Sequence, residues 1–280
     1  MAVQAAITQF KKELILAYEQ RKSLLAGAAS KETIANGHVV TWLISGAGSQ
    51  VAVTRGQDGD IPYGVPSNSQ VSATLVEQQA PEALTGFDVF ASQGNQVELM
   101  KTNVMAIIRR AQDQVILNEM ANFTQDYPVT GSLTVEMIAG SRAILGNQHV
   151  PISEEENMFC VISPAAEAYL LQTTEFTNAE YRDVKPLEGG IATKYRRWMS
   201  MNWIMADVLV GAGTSAEIMY MWHRSAFGYA INMGEEKITA GFNEEQQRSW
   251  ALATVYHAAK ILQNAGGIKI THDGSAYVAS

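Results

Sequence analysis

Near the N-terminus the apolar positions Ile7, Phe10, Leu14, Tyr18 and Leu25 recur at helical spacing, with Lys11, Lys12, Glu13, Glu19, Arg21 and Lys22 mostly between them. The pattern predicts an amphipathic helix over residues 4–25, closed by Gly27. The character then changes. Residues 33–79 hold four charged side chains, Arg55, Asp58, Asp60 and Glu77, and six glycines. Strands are predicted at 39–44, 50–55 and 70–78, the last because Val71, Ala73 and Leu75 alternate with Ser72 and Thr74. Between the second and third lies RGQDGDIPYGVPSNS, a run of turn-forming residues. The sum is a long hairpin with a loop tip. It has too little apolar content for a core of its own, and a two-stranded hairpin is marginal in water, so a neighbouring subunit is the natural support.

After Phe87-Asp88-Val89-Phe90, residues 94–123 carry Val97, Met100, Val104, Ile107, Ile108, Ala111, Val115 and Met120 at spacings of three and four. A helix of that length would run roughly 45 Å, against ~17 Å for an average one, before Tyr127-Pro128 stops it. The rest alternates. Helices are predicted at 132–145 and, with Pro164 at the first position, at 164–172; strands at 158–162, 197–205 and 217–222; a helix at 243–264 ended by Gly266-Gly267; and a closing hairpin around His272-Asp273-Gly274. The fold class is α+β.

Composition narrows the function. Only 17% of the 280 residues are charged, where ~25% is usual. The surface is instead supplied with 18 Gln, 13 Asn, 18 Ser and 18 Thr. A net charge of −8 argues against a protein that grips nucleic acid through a basic face. The lone Cys160 excludes an internal disulfide framework and suits a reducing compartment. The N-terminus lacks the continuous apolar core of an export signal, and the apolar stretch 198–222 is broken by Asn202, Asp207 and Glu217, so no membrane segment is expected.

Searches for chemistry return little. The strand ending in Gly46-Ala47-Gly48 starts like a dinucleotide fingerprint, but the third glycine position is Val51 and no helix is predicted after it. His38, His149, His223, His257 and His272 are scattered without metal-ligand spacing. Trp222-His223-Arg224 reads as a structural histidine at a strand end. Asp58 and Asp60 lack the ligand pattern of a Ca²⁺ loop, Glu154-Glu155-Glu156 reads as an exposed turn, and Cys160 within FCVI reads as a small core residue. No catalytic, cofactor-binding or metal-binding residue is assigned, no cofactor is expected, and nothing demands an enzyme.

Three segments carry a resemblance: FKKELILAYEQRKSLL at 10–25, VTRGQDGDIPYG at 53–64 and LMKTNVMAIIRRAQDQVIL at 99–117. They are followed in order by CVISPAAEAYLLQ at 160–172, FTNAEYRDVKPLEGGIATKYRRWMSMNWI at 176–204, MWHRSAFGYAI at 221–231 and AGGIKITHDGSAYV at 265–278. In that order the chain resembles the major capsid proteins of tailed bacteriophages with the Hong Kong 97-like fold. The resemblance implies an N-terminal arm at 1–32, an extended β-hairpin loop at 33–86, a long spine helix and peripheral domain at 87–150, a mainly axial domain at 151–255, and a return to the peripheral and axial core at 256–280.

It further implies a structural protein of the virion that self-assembles into pentamers and hexamers, forming an icosahedral shell around double-stranded DNA in the host bacterial cytoplasm. The implied partners are other copies of the chain, a separately encoded scaffolding protein, a portal and decoration proteins; the DNA is enclosed without sequence-specific binding, and no membrane is involved. The family's covalent cross-linking needs a lysine on the extended loop, and residues 33–79 contain none, so a shell held non-covalently is expected. The assembly-interface candidates are Phe10 and Tyr18 on the arm, Arg55, Asp58 and Asp60 at the loop tip, and Arg109 and Arg110 on the spine helix. An encapsulin-like bacterial compartment is the alternative within the fold, and a cytoplasmic nucleotide-binding enzyme the alternative outside it. The charge deficit then has a meaning, because surfaces buried between copies are poor in charge, and an acidic balance hinders non-specific sticking to packaged DNA.

Overall fold

The computed structural model describes residues 22–46, 51–55, 59, 63–91, 96–128, 131–174, 196–234 and 236–277. It divides into two compact units. The larger takes in Leu24–Val76, Asp113–Met233 and His257–Ser280, the smaller Glu77–Gln112 and Gly234–Tyr256, with the two residues before Leu24. The expected helix at 4–25 lies almost wholly outside the described residues. Its last four positions, 22–25, are not helical, and a single 3₁₀ turn at Ala26–Ala28 follows.

In chain order the elements are β1 (Ser30–Ile34), β2 (Val39–Gly46), β3 (Ser67–Thr74), β4 (Val76–Thr85), α1 (Gly86–Ala91), α2 (Gln96–Met120), β5 (Asp126–Pro128), α3 (Val135–Asn147), β6 (Met158–Ile162) and α4 (Pro164–Leu170). Then come β7 (Arg196–Trp198), β8 (Met201–Met205), β9 (Glu217–His223), β10 (Phe227–Asn232), β11 (Lys237–Asn243), β12 (Arg248–Ile261) and β13 (Gly267–His272).

The larger unit is built on a six-stranded sheet of order β5-β13-β9-β6-β8-β7. Its centre is β6, whose five residues MFCVI are all buried, paired parallel to β8 and antiparallel to β9. A continuous apolar run buried on both faces is what a central strand requires. Met137, Ile138 and Leu145 of α3 and Ala166 and Leu170 of α4 join that core. Both helices start on side-chain caps: Thr134 Oγ1 accepts from Met137 N and Ser163 Oγ from Ala166 N, with Pro164 following. The single strand expected at 197–205 is instead two, β7 and β8, folded back through Met199 and Ser200 at φ of 50° and 55°. The Trp203 indole N–H donates to Trp198 O across this turn at 2.9 Å.

The chain entering β1 is held firmly. The Asp113 carboxylate, 1% exposed, accepts the backbone N–H groups of Leu24 at 2.9 Å and Leu25 at 3.1 Å. Trp222 Nε1 donates to Ala28 O at 3.0 Å, and Arg224 Nη2 donates to Gly27 O at 3.3 Å. β1 then runs parallel to β10, which pairs antiparallel with the second part of β12.

The smaller unit contains β4, α1, the first part of α2, and the hairpin of β11 with the first part of β12, with β4 also paired to β12. Ala80, Met100, Val104, Ile108, Ala251, Ala253 and Val255 are buried in it. The helix expected at 243–264 is therefore a strand. Ala251, Ala253 and Val255 are buried while Leu252 and Thr254 between them are less so, a period of two that Ala-rich composition masks. The expected closing hairpin at 272–274 is also absent. Backbone after β13 is held instead by neighbouring turns, with Gly274 N donating to Thr214 O at 2.9 Å and Asp273 N to Gly131 O at 2.8 Å.

Candidate functional site

The hairpin sits where the sequence places it. β2 and β3 pair antiparallel from Val39↔Thr74 to Gly46↔Ser67. Inward residues fasten it to its own unit: Val40 and Trp42 cluster with Ala230, and Ala73, Leu75 and Leu262 pack against them. Gly228 makes room for the Trp42 ring, since a Cβ there would lie 2.9 Å from Trp42 Cε2. Leu75 N, where β3 gives way to β4, donates to His38 O at 2.8 Å. The expected strand at 70–78 is thus divided between two elements.

The opposite face looks outward and carries no charge. Val39, Thr41 and Leu43 stand opposite Thr74, Ser72 and Gln70, and the hydroxyls of Thr41 and Ser72 lie 3.0 Å apart. Leu43 is 76% exposed. Beyond the paired region Val51 is 78% exposed, Tyr63 93% and Val65 83%. Residues 51–55 form no strand, contrary to the alternation of their sequence, and all five are exposed. Large exposed apolar side chains along one stretch of chain, with uncharged polar residues between them, are typical of surfaces that interactions cover. The exposed Phe87 of α1 and the exposed Ile238 and Phe242 of β11 put a second such set on the smaller unit.

Of the sequence-derived interface residues, Arg55, Arg109 and Arg110 are among the described residues. Arg55 is exposed at the hairpin's outer end. Phe10, Tyr18, Asp58 and Asp60 lie outside the described residues. Arg109 is half-buried, with its Nε 3.9 Å from Glu236 Oε1, which also accepts from Gln112 Nε2 at 3.1 Å. Its neighbour Arg110 is exposed. The outward apolar residues Leu43, Val51, Tyr63 and Val65 were not among the expected site residues, although the alternation in VVTWLI was the signal that would have found Leu43.

The groups that resemble chemistry are built into the fold. Strand β2, which ends at Gly46, pairs antiparallel with β3, and among the described residues between them none is helical, unlike the strand–turn–helix of a dinucleotide site. His223 caps its own turn, with Nδ1 2.8 Å from Ser225 Oγ and 3.3 Å from Ser225 N, while Nε2 lies 3.4 Å from Glu154 Oε2. It borders a pocket of about 90 Å³ shared with His149 and Gln263. Glu217 and His272 are an opposed cross-strand pair at the ends of β9 and β13, both fully buried, 3.4 Å apart. Burial pushes the Glu217 carboxyl up, but hydrogen bonds from His272, Ser163 and the Gly213 N–H outweigh it and hold it below the ordinary carboxylate value. Burial pushes the Cys160 thiol well up, away from thiolate character. Among the described residues no three His, Cys, Asp or Glu side chains are grouped to hold a metal ion, and no helix is long and apolar enough to cross a membrane.

Comparison with known proteins gives one consistent answer. The family described as phage capsid protein matches residues 2–274. No curated protein matches. Among solved structures, one from Mycobacterium phage Che8 superposes with a TM-score of 0.72 at 15% identity, covering 96% of this chain and 98% of that one. The capsid structure of the cyanophage P-SCSP1u gives 0.71 at 13%, covering 95% and 92%. The capsid of Ralstonia phage GP4 gives 0.69 at 12%, covering 99% and 98%. At such identities the structures speak to the fold alone.

Proposed function

Because the chain belongs to the phage capsid protein family, and is thus a major capsid protein that forms the virion shell, we propose that its shell is built from pentamers and hexamers in which the β2–β3 hairpin lies across a neighbouring copy. The observation that carries this is the hairpin itself. One face is pinned by Val40 and Trp42, and the other presents Leu43 at 76% exposure on a ladder without a single charged residue. Covering apolar surface contributes roughly 25 cal/mol per Å², so a patch repeated at every subunit boundary favours assembly.

In this reading residues 1–32 act as an arm reaching neighbours, α2 as the spine beside a peripheral domain within 87–150, residues 151–255 as the mainly axial domain, and 256–280 as the return to their core. The shell encloses double-stranded DNA without reading its sequence. Assembly takes place in the bacterial cytoplasm with a separate scaffolding protein, and a portal and decoration proteins complete the head. The role is geometric and not catalytic, and the subunits are held non-covalently. Deleting residues 57–67 tests it: a folded, unassembled chain is expected, and normal closed particles under the electron microscope would refute the hairpin's role.

A further inference from the structure

Two features of the chain are unsatisfied in complementary ways. The first is the segment Val51–Arg55. Its residues alternate as a strand does, with Val51 and Val53 on one side and Ala52 and Thr54 on the other, yet it pairs with no strand among the described residues, and Val51 is 78% and Val53 49% exposed. The second is the outer edge of β11. β12 covers its inner edge along all seven residues, and among the described residues no strand lies on the other. β1 gives β10 such an outer neighbour, but that pairing ends at Ile34↔Asn232, before β11 begins. An open edge of this length, with exposed Ile238, Ala240 and Phe242 at every second position, is a template for another strand.

We propose that Val51–Arg55 of one copy adds as a parallel strand to the outer edge of β11 in a neighbouring copy. Charge selects the direction. β11 begins at Lys237 and runs into a turn that carries Glu244 and Glu245, both exposed. Parallel addition brings Val51 and Val53 beside Ile238 and Ala240 and sets Arg55 toward Glu244 and Glu245; antiparallel addition would set Arg55 against Lys237. Like charges directly opposed disfavour a pairing and opposite charges support it. Five residues at about 3.3 Å each cover roughly 17 Å, which fits within the seven-residue edge. The pairing satisfies backbone groups of both partners and covers the exposed valines in one step.

The proposal rests on the shell-forming reading above and is tested separately from it. Hydrogen exchange of the wild-type chain, unassembled and in purified shells, is the primary measurement: amides in both 51–55 and 237–243 should become protected on assembly. The charge test uses Arg55→Glu and the pair Glu244→Lys with Glu245→Lys, each expected to lose shells, and their combination, expected to restore them. Val53→Cys with Ala240→Cys should give disulfide-linked ladders from shells, against a background in which native Cys160 is buried. Shells in which 51–55 still exchange freely, or in which Ala240→Cys alone cross-links to itself, would overturn the strand addition while leaving assembly intact. A wild-type chain that forms no shells would overturn both.

Discussion

Acidification should destabilise the unassembled subunit, chiefly through His257. This side chain lies in the second part of β12, 1% exposed, with its Nδ1 3.2 Å from the Tyr229 hydroxyl and its ring edge-on to the Tyr229 ring at 5.9 Å. Burial pushes its pKa from 6.5 down to about 4, so the folded chain keeps a neutral imidazole. As pH falls, the unfolded chain takes up the proton near 6.5, and the folded chain only near 4. Between these values the unfolded state holds more protons, so stability falls with pH. It is complete above 6.5 and lost below about 4. A gap of this size corresponds to about 3 kcal/mol, a large part of a typical stability of ~5–15 kcal/mol. Glu217, held below its ordinary 4.5, also favours unfolding in acid, but only as pH drops beneath that value, so the upper part of the window belongs to His257. Urea unfolding from pH 7.5 to 4.5 on wild type and His257→Gln is the assay, with the histidine titrated directly by NMR. Wild type should lose stability at up to about 1.4 kcal/mol per pH unit, and the variant should have a flatter profile. An equal slope in both proteins, or a folded-state pKa above 6, would refute the reasoning.

Other substitutions separate folding from assembly. Leu43→Glu, on the hairpin's outward face, should change subunit stability by no more than about 0.5 kcal/mol, as read by chemical denaturation, yet abolish shells in sedimentation. Asp113→Ala strips the acceptor from Leu24 N and Leu25 N and should cost about 2–4 kcal/mol, because buried donors are left unpaired. Gly267→Ala places a Cβ 2.2 Å from the Phe123 ring, itself 1% exposed. A loss of about 1–3 kcal/mol in thermal or denaturant unfolding is expected, since a close-packed ring has little room to yield.

Where local pattern and burial agree, the sequence is legible. β6 is read at its true bounds because five successive apolar residues admit few other readings, and the 25-residue α2 stands out through repeated three- and four-residue spacing. β2 is found because Val40 and Trp42 alternate with polar or outward residues. The failures share a cause. β12 reads as helix because alanine favours helix when nothing else is known, and only β4, β10 and β11 beside it make extension the better state. Residues 51–55 err in the opposite direction, with the pattern of a strand and no partner strand among the described residues.

The amino-acid order by itself determined the mixed class, the charge-poor hairpin, the long helix and the lack of recognisable catalytic spacing, since each follows from composition or from periods only a few residues long. Only the tertiary structure decided which hairpin face is exposed, that Arg109 is already engaged by Glu236, that Asp113 grips the chain at Leu24 and Leu25, and that among the described residues no strand lies on the outer edge of β11. Those are contacts between residues far apart in the chain. A side chain becomes interface or core according to what the rest of the fold brings against it.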